Sequence, residues 1–337
     1  MFKLGVDLGY GYTKAVSETG KRVLFPSLVG SGRPRYLGGV FGPAQEGAVD
    51  DLDVMIDGRE YFVGDLARRE SRDASRAFEQ DKAAHPNTKV LLATASALLA
   101  DAKLGPVHLV TGLPLRYYAG QKERFKEILE GMSAEVQFLS GPRKGQSRRV
   151  KFDRVTVFPQ AAGAVYAALL NGQAGPKKGA MVALIDIGYK TTDFIVFEVQ
   201  ERLRVREDLS GTIEAGVSDV HRAVQVNLAA VTKAELDPAE VESAIRSGAI
   251  WYGGEMYDVA AMAEEARREV ARAVKDRVTL AWGPKANYLA QVYLAGGGAE
   301  ELKDHLKDLH PAQALVPEAQ FANAVGFLRV AEMLERR

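Results

Sequence analysis

The first half of the chain alternates short apolar runs with turn residues, a pattern that predicts β-strands. Hairpins are expected over TKAVSETGKRVLFPS, around a turn at 18–21, and over DVMIDGREYFVGD, where Asp57-Gly58 is the turn signal. Helical spacing predicts helices over 88–102 and over YAGQKERFKEILEGM, which Gly131 should end. The other predicted elements are strands at FKLGVDLG and PVHLVTGLP and an exposed loop, rich in Gly, Pro and Arg, over residues 30–50.

The second half of the chain repeats this plan. FPQAAGAVYAALLNG predicts a buried helix, and the unbroken apolar run AMVALIDIG predicts a strand covered on both faces. TTDFIVFEV and RLRVREDLS should pair with that strand as a meander, and a helix should follow through GVSDVHRAVQVNLA. Asp237, Pro238 and Glu240 predict a capped helix that ends at Gly248. A charged helix over 256–278, a strand at YLAQVYLAGGG and a helix at FANAVGFLRVAEMLER complete the predicted elements.

Both halves therefore open with a strand, a glycine corner and a hairpin. This repetition indicates an internal duplication within the α/β fold class. At 337 residues, the chain has the length of about two domains. We expect the first domain to comprise residues 1–157 with 320–337, and the second to comprise residues 158–319.

Composition narrows the possible partners. The 44 basic and 44 acidic residues leave no net charge, whereas proteins that grip nucleic acid over a broad face usually have a basic excess. We therefore expect no direct binding of nucleic acid. The basic stretch RKGQSRRVK, residues 143–151, is interpreted as the solvated rim of a hairpin, with a local binding patch as the alternative.

The residue types that are missing narrow the chemistry further. The chain has no cysteine, which excludes disulfides, thiolate metal sites and Cys nucleophiles and fits a cytoplasmic protein. Its five histidines show no ligand spacing. The apolar stretch VLLATASALLA, residues 90–100, is too short to span a bilayer, so we expect no membrane partner.

Two similar corners carry the candidate chemistry: DLGYGYTK, residues 7–14, and DIGYKTTD, residues 186–193. A strand that ends in Asp-x-Gly and turns back at once presents several backbone N–H groups in one concave place, and such nests bind anions. One copy alone is commonly just a hairpin turn, but two facing copies would clasp a polyphosphate. Asp7 and Asp186 would then hold the accompanying Mg²⁺ through water, and Lys14 would place a positive charge on the phosphate oxygens.

A third segment, LAGGGAEEL, runs from a strand through three glycines into a helix. Because Gly296, Gly297 and Gly298 have no side chains, a flat adenine or ribose can lie against their backbone near the helix N-terminus. The alternative is a tight strand–helix corner, which would need only one or two glycines. Neither GxGxxG nor GxxxxGK[ST] occurs in the chain, so we expect neither a Rossmann site nor a P-loop.

These segments together resemble the actin, heat-shock chaperone and sugar-kinase superfamily. DLGYGYTK and DIGYKTTD resemble its two phosphate loops, LAGGGAEE its adenosine motif, and FPQAAGA and FANAVGF its two connecting helices. Within the superfamily, YFVGDLARR, VTGLPLRYY and NAVGF are similar to ParM-like plasmid-segregation actins and their archaeal relatives. The resemblance implies two actin-like (ribonuclease H-like) domains, each a mixed sheet flanked by helices, with a nucleotide cleft between them.

The resemblance also implies roles for individual residues. Asp7 and Asp186 would be the metal-site aspartates, and Gln160 and Asp186 would be catalytic, with Gln160 orienting the attacking water. The alternative for Gln160 is a residue at the start of a helix that bonds its own backbone. ATP or GTP, with Mg²⁺, would contact the two corners and the glycine run, namely Gly9, Tyr10, Gly11, Tyr12, Thr13, Lys14, Gly188, Tyr189, Lys190, Thr191, Thr192, Gly296, Gly297 and Gly298.

Tyr10 and Tyr189 depart from the superfamily's pattern, in which Ser or Thr follows the loop glycine and reaches the γ-phosphate. A ring cannot make that short contact, so either backbone N–H groups carry more of the binding or the tyrosines pack outside the cleft. Asp193 stands where the first copy has Lys14, and would bind metal-bound water or cap the hairpin. Ser218 is interpreted as the N-cap of the next helix.

The leading functional hypothesis is a filament-forming actin-like ATPase, in which ATP favours a polymerising conformation and hydrolysis weakens the contacts between subunits. Its partners would be further copies of itself, head to tail, and an adaptor protein that binds plasmid or other DNA. The alternatives are a small-molecule kinase of the same superfamily and a non-polymerising ATP-bound scaffold. The choice between ATP and GTP stays open, because the residues around the base cannot be assigned from the sequence.

Overall fold

The computed structural model describes residues 1–35, 49–76, 85–100, 106–169, 177–201 and 203–335. Residues 36–48 of the expected loop lie outside this part of the chain, as do residues 101–102 and 170–172 at the ends of two predicted helices. Among the described residues, no helix combines the length and the apolar character that crossing a membrane requires.

The chain divides into two compact units. Unit 1 comprises Met1–Ala167 and Phe321–Arg337, and unit 2 comprises Ala168–Gln320. Both units contain a sheet with parallel and antiparallel pairs, together with helices, which is the expected α/β class. The domain limits given above stay a prediction.

Unit 1 is built around the strand that precedes the first corner. Its strands are β1 (Phe2–Leu8), β2 (Tyr12–Ser17), β3 (Arg22–Pro26), β4 (Leu28–Ser31), β5 (Leu52–Ile56), β6 (Arg59–Val63), β7 (Ser75–Arg76), β8 (Val107–Leu113), β9 (Ser133–Phe138), β10 (Ser147–Lys151) and β11 (Arg154–Pro159). One sheet has the order β11-β8-β1-β2-β3, and the other has the order β10-β9-β5-β6-β4-β7. In the first sheet β1 is parallel to β8 and antiparallel to β2, so the corner leaves from the middle of the sheet.

Unit 2 is built on the strand that precedes the second corner. Its strands are β12 (Met181–Ile187), β13 (Thr192–Val199), β14 (Leu203–Val205), β15 (Gly211–Ile213), β16 (Ala249–Tyr252), β17 (Glu255–Asp258), β18 (Leu289–Ala295) and β19 (Gln313–Leu315). The main sheet has the order β14-β13-β12-β18-β19, with β15 paired to β13. Strand β12 is antiparallel to β13 and parallel to β18, which repeats the pairing of β1.

Helices accompany these sheets, and all but the first lie in segments that were predicted to be helical. In chain order they are α1 (Asp65–Glu70), α2 (Pro86–Leu99), α3 (Leu115–Glu130), α4 (Ala162–Leu169), α5 (Val217–Thr232), α6 (Pro238–Ser247), α7 (Ala260–Trp282), α8 (Gly297–Leu302) and α9 (Ala322–Glu335). Helix α2 is buried along almost its whole length. Helix α6 has the expected capping box, in which Asp237 accepts from Ala239 N–H and Glu240 accepts from Asp237 N–H.

Gly30 and Ser31, expected in an exposed loop, belong to β4, and the strand expected over RLRVREDLS is only β14, Leu203–Val205. Two predicted helix boundaries are also wrong. The charged helix expected over 256–278 begins only at Ala260, because residues 249–258 form the β16–β17 hairpin. Its turn residues Gly253 and Gly254 have φ of +60° and +85°, and two successive positive φ values favour a two-residue hairpin turn over a helix.

The other wrong boundary concerns the helix predicted from residue 158. Phe158 and Pro159 pair with β8 as the end of β11, and Ala161 takes a left-handed φ of +65°. A left-handed residue cannot belong to a right-handed helix, so α4 begins only at Ala162.

Glycines allow α9 to approach two other backbones. A Cβ atom at Gly326 would lie 1.8 Å from the carbonyl oxygen of Gly163 in α4. A Cβ atom at Gly5 in β1 would lie 2.1 Å from the carbonyl oxygen of Ala324 in α9. The two segments that resemble connecting helices therefore cross backbone to backbone, at a separation that only glycine permits.

We expect Gly326→Ala to lower the free energy of unfolding by at least about 1–3 kcal/mol, the usual cost of inserting a methyl group where no space exists. Urea-induced unfolding followed by circular dichroism measures this difference. Gly120→Ala is the matched control, since Gly120 is also helical and a Cβ atom there meets nothing within 4 Å. The control should gain up to about 1 kcal/mol from helix propensity. Unchanged or increased stability of Gly326→Ala would contradict the close approach.

Candidate functional site

The first corner joins β1 to β2 and is organised by Asp7. The carboxylate of Asp7 is only 4% exposed and faces Lys14 across the hairpin, where the two residues are register partners. Lys14 Nζ lies 3.1 Å from Asp7 Oδ2. Because a buried carboxylate is costly without charged or hydrogen-bonding partners, this pair fixes the Lys14 ammonium at the mouth of the corner.

The backbone of the first corner turns within four residues. Gly9 N–H donates to Tyr12 O at 3.1 Å, and a Cβ atom at Gly9 would lie 2.8 Å from that oxygen. The carbonyl oxygens of Gly9 and Gly11 accept from Ser27 Oγ at 2.7 Å and from Arg76 Nη1 at 3.0 Å, respectively. Carbonyl oxygens repel phosphate, so tying them to protein donors suits the corner to an anion.

Gln160 reaches this corner from the loop between β11 and α4. Its N–H donates to Leu113 O at 2.8 Å, and the following residue, Ala161, donates to Asn323 Oδ1 at 3.0 Å. The Gln160 side chain donates from Nε2 to Asp7 Oδ1 at 2.8 Å. The side chain thus bonds to Asp7, and the contacts of the described residues include no bond from it to its own backbone, which was the alternative. An amide held through Nε2 presents Oε1 as an acceptor, which is what orienting a water O–H requires.

The second corner, between β12 and β13, has the same local structure. Gly188 N–H donates to Thr191 O at 2.9 Å, and a Cβ atom at Gly188 would lie 2.9 Å from that oxygen. Asp186 is half-buried and faces Asp193 across the hairpin, where the first corner has Lys14. The two corners are therefore alike in backbone and different in charge.

The start of α5 supports the second corner. Its first N–H groups, those of Val217 and Ser218, donate to the carbonyl oxygens of Gly188 and Tyr189 at 3.2 and 2.6 Å. The N-cap is Gly216, whose N–H donates to Asp219 at 3.0 Å, so the prediction that Ser218 is the N-cap is wrong. These donors hold the corner's carbonyl groups, as Ser27 and Arg76 do in unit 1.

The three glycines after β18 are not equivalent. A Cβ atom at Gly296 would lie 2.3 Å from Ile187 O and 2.4 Å from Asp186 Oδ1, and one at Gly298 would lie 2.6 Å from the Ile187 side chain. Close packing against β12 therefore explains both of these glycines. At Gly297 a Cβ atom would meet only Gln320, at 3.7 Å, which is an ordinary contact. Packing within the protein therefore gives no reason for a glycine at position 297.

The remaining predicted site residues are either buried or half-buried. Thr13 and Thr192 are fully buried, and their hydroxyls lie within hydrogen-bonding distance of Ser27 Oγ (2.9 Å) and of Ala215 O (2.8 Å). Tyr10 is buried, and the Tyr189 ring stands edge-on to His221 at a centroid distance of 5.4 Å. Gly11 is also buried, whereas Tyr12, Lys190 and Thr191 are half-buried.

Two buried groups with strongly shifted pKa values lie elsewhere in unit 1. Burial, with a contribution from Arg154, lowers the pKa of His108 to about 4, and burial, with a contribution from Glu60, raises the pKa of Asp53 to about 6. His108 is the register partner of Lys3 at the start of β1, whereas Asp7 lies at its other end. Asp53 belongs to β5 in the second sheet. These two groups with shifted pKa values therefore lie outside the candidate site.

The donor set suits a Mg²⁺ ion that arrives with phosphates. No cluster of three or more His, Cys, Asp or Glu residues suited to a metal occurs in the described ranges. Mg²⁺ in nucleotide sites usually has one or two carboxylates, phosphate oxygens and several waters as its ligands. Each oxygen of Asp7 accepts one hydrogen bond, from Gln160 or Lys14, and carboxylate oxygens can accept more. The residues therefore fit an ion held through water.

Sequence reasoning missed the residues that support the corners. Ser27, Arg76 and Asn323 act through carbonyl or N–H groups of other residues, and only the fold brings them there. Asn323 stands in the FANAVGF segment that the resemblance had singled out. Its place in that segment, three residues before Gly326, was the available signal.

Two family matches cover most of the chain. Residues 5–163 match the N-terminal domain of the actin-like proteins, and residues 184–308 match the C-terminal domain of the archaeal MreB-like actin homologues. The first match contains Asp7, Lys14 and Gln160, and the second contains the second corner and the glycine run.

Individual relatives agree with these matches along the whole chain. An archaeal actin homolog of Thermoplasma acidophilum is 26% identical over 98% of this chain and 99% of its own length. A ParM from Clostridium botulinum, solved in a 15-stranded filament, is 29% identical with a TM-score of 0.87, covering 98% of this chain and 99% of that one.

A second solved structure extends the likeness of fold. It is an archaeal actin homolog in complex with ADP, 22% identical with a TM-score of 0.81, and the match covers 99% of this chain and 100% of that one. The expected fold class of two actin-like domains is confirmed by these matches. The chain belongs to the actin-like proteins, because both family models match it and because it is similar over its full length to archaeal actin homologues and ParM.

Proposed function

We propose that this protein is a nucleotide-dependent, filament-forming actin-like ATPase. The observation that carries the proposal is the hydrogen bond from Gln160 to Asp7, at the corner where Lys14 also pairs with Asp7. A fixed positive charge, a carboxylate and a pinned amide are the groups that phosphoryl transfer to water requires.

In this proposal each unit contributes one phosphate corner. Gly9, Gly11 and Lys14 contact phosphate in unit 1, and Gly188 and Thr191 do so in unit 2. The buried hydroxyls of Thr13 and Thr192 hold the corners in shape, while Gly297 underlies the nucleoside. The ADP complex of an archaeal actin homolog is consistent with such a ligand. Tyr10, Tyr12, Tyr189 and Lys190 complete the surroundings of the phosphates, and ATP or GTP is the nucleotide.

The proposed reaction is in-line attack of water on the γ-phosphate. Gln160 Oε1 accepts a hydrogen bond from the water and orients it, and the Lys14 ammonium stabilises the charge that develops on the phosphate oxygens. Asp7 holds both groups in place, and Asp186 serves the same reaction from the second corner. Asp7 and Asp186 would hold Mg²⁺ through water, and the ion would neutralise charge on the phosphates.

In the proposal, nucleotide binding and hydrolysis control self-association of the protein. The ParM relative at 29% identity was solved as a filament, which supports the same capacity here. Nucleotide would favour the polymerising state and hydrolysis would release it, a two-state switch driven by contacts with the γ-phosphate. The balanced net charge is consistent with a link to plasmid or other DNA through an adaptor protein in the cytoplasm, without direct DNA binding.

Light scattering tests assembly. Adding Mg-ATP or Mg-GTP across a series of protein concentrations should give scattering only above a critical concentration, followed by release of phosphate. Flat scattering with bound nucleotide would contradict the filament. Turnover that depends on an added small acceptor would indicate a kinase, and binding without turnover or scattering would indicate a scaffold.

Gln160→Ala should leave assembly intact and slow phosphate release on the order of a hundredfold, because a misplaced nucleophile costs about that factor. Filaments of this variant should therefore persist longer after assembly. Gln200→Ala is the control, since Gln200 is exposed and bonds only Glu198 among the described contacts. If Gln160→Ala released phosphate at the wild-type rate, Gln160 would have no role in the reaction.

Gly297→Ala should weaken nucleotide binding by about tenfold or more, equivalent to about 1.4 kcal/mol, without lowering the stability of the protein. The added methyl group fits against the protein but would stand between the backbone and a nucleoside. Fluorescent-nucleotide titration and thermal unfolding measure the two effects. Gly298→Ala is the contrasting variant and should mainly destabilise, because its Cβ atom would lie 2.6 Å from Ile187. Unchanged affinity in Gly297→Ala would place the nucleoside elsewhere.

A further inference from the structure

The β16–β17 hairpin, Ala249–Asp258, exposes large apolar side chains to solvent. Trp251 is 71% exposed and Met256 is 63% exposed, and the two are cross-strand register partners. The chain's other tryptophan, Trp282, is buried and donates its indole N–H to Leu209 O. An exposed Trp–Met pair on a regular hairpin has the composition of an interface core more than that of a solvated surface.

The exposed pair is a consequence of how the hairpin is held. Ile250 and Tyr257 are register partners on the other face and pack against the apolar core of unit 2. Because side chains alternate along a strand, fixing Ile250 and Tyr257 inward directs Trp251 and Met256 outward. The hairpin forms a two-stranded sheet of its own among the described strands. The apolar face is therefore presented on a fixed support.

The charges on the hairpin favour a basic partner. Glu255 and Asp258 are exposed, and no Lys or Arg lies within residues 249–258. By alternation Asp258 lies on the Trp251–Met256 face, whereas Glu255 lies on the other face and accepts a hydrogen bond from the Tyr257 hydroxyl. Two such faces meeting would bring their two Asp258 carboxylates together, and an anionic membrane or a nucleic acid would be repelled in the same way. The chemistry that fits the hairpin is a surface with guanidinium and ammonium groups, since Arg stacks on Trp rings and long basic side chains cover apolar surface with their stems.

This chain carries such a surface on β10. Arg149 and Lys151 are exposed on that strand and alternate with Val150, which is buried. Strand β10 lies at the edge of its six-stranded sheet. With Lys144 in the preceding turn, it belongs to the basic stretch 143–151, for which the nucleotide chemistry has no use.

We propose that the Trp251–Met256 face of one copy docks on the basic β10 strand of a second copy. The Arg149 guanidinium stacks on the Trp251 ring, and Lys151 pairs with the carboxylate of Asp258, which alternation places on the same face as Trp251 and Met256. The two surfaces are different, so the contact is heterologous, and such a contact yields an open filament when its rotation does not close a ring. The inference rests on the proposed filament function and assigns the contact that builds the filament.

Cross-linking tests the contact without depending on nucleotide. The chain has no cysteine, so single cysteines introduced by Glu255→Cys and Ser147→Cys are unique in their respective copies. A short bismaleimide should join the two variants in a 1:1 mixture, whereas each variant alone should give little dimer. Adding Trp251→Ser to the first variant should lower the cross-link yield by about tenfold, as expected for loss of a central aromatic residue. Equal yields in the mixture and in Glu255→Cys alone would overturn the heterologous pairing.

Complementary variants test the role of the contact in assembly. Two double variants each lose one of the two surfaces of the contact, so neither should form filaments. They are the hairpin variant, Trp251→Ser/Met256→Ser, and the strand variant, Arg149→Glu/Lys151→Glu. Their 1:1 mixture keeps one intact contact per pair, so sedimentation velocity should show dimers and nothing larger. Val226→Ser is the control, because Val226 is 64% exposed on α5 and should be dispensable.

The outcomes separate the inference from the function on which it rests. If the hairpin variant assembles as well as the wild-type protein, the docking contact is overturned and the filament function still stands. A specific mixed cross-link with no nucleotide-dependent scattering would keep the contact and overturn the filament function. Loss of assembly in the Val226→Ser control as well would also overturn the assignment to the hairpin, because exposed apolar residues in general would then account for assembly.

Discussion

The buried carboxylate of Asp7 is the interaction on which the first corner depends. It is 4% exposed and accepts hydrogen bonds from Lys14 across the hairpin and from Gln160 at the end of β11. A charge so far from water is tolerated only with such partners. The carboxylate therefore ties the corner to the loop before α4. Through the bond from Ala161 to Asn323, it also ties the corner to α9.

Close backbone approach is the second constraint, and it explains most of the conspicuous glycines. Gly163 and Gly326 let α4 and α9 cross, and Gly296 and Gly298 let the turn after β18 pack on Ile187. Gly9 and Gly188 close the two corners. Gly297 differs from Gly296 and Gly298 on either side of it, because a Cβ atom there would make only an ordinary contact, with Gln320 at 3.7 Å. It carries the proposed nucleoside contact for that reason.

The two corners have similar backbones and different charges. Asp7 faces a lysine, whereas Asp186 faces Asp193, a buried carboxylate that accepts from Thr212 Oγ1 at 2.5 Å. Under the proposed function, the first corner supplies positive charge and the pinned amide. The second supplies carboxylates for a hydrated cation. Neither corner alone carries the full set of groups that hydrolysis of a nucleotide needs.

The sequence by itself determined the strands that flank the two corners, the Asp-x-Gly corners themselves and the α/β class, because apolar periodicity and glycine placement are local properties of the chain. Other strands, such as β9, β16 and β19, were not predicted. It did not determine where α4 and α7 begin, since the left-handed Ala161 and the hairpin ahead of α7 depend on long-range packing. Only the tertiary structure decided that Gln160 bonds Asp7, across 153 residues of sequence, and that Ser27 and Arg76 hold the corner. It also decided that Gly297, unlike Gly296 and Gly298, is free of close packing. Contacts between distant segments have no periodic signature, and the fold alone brings them together.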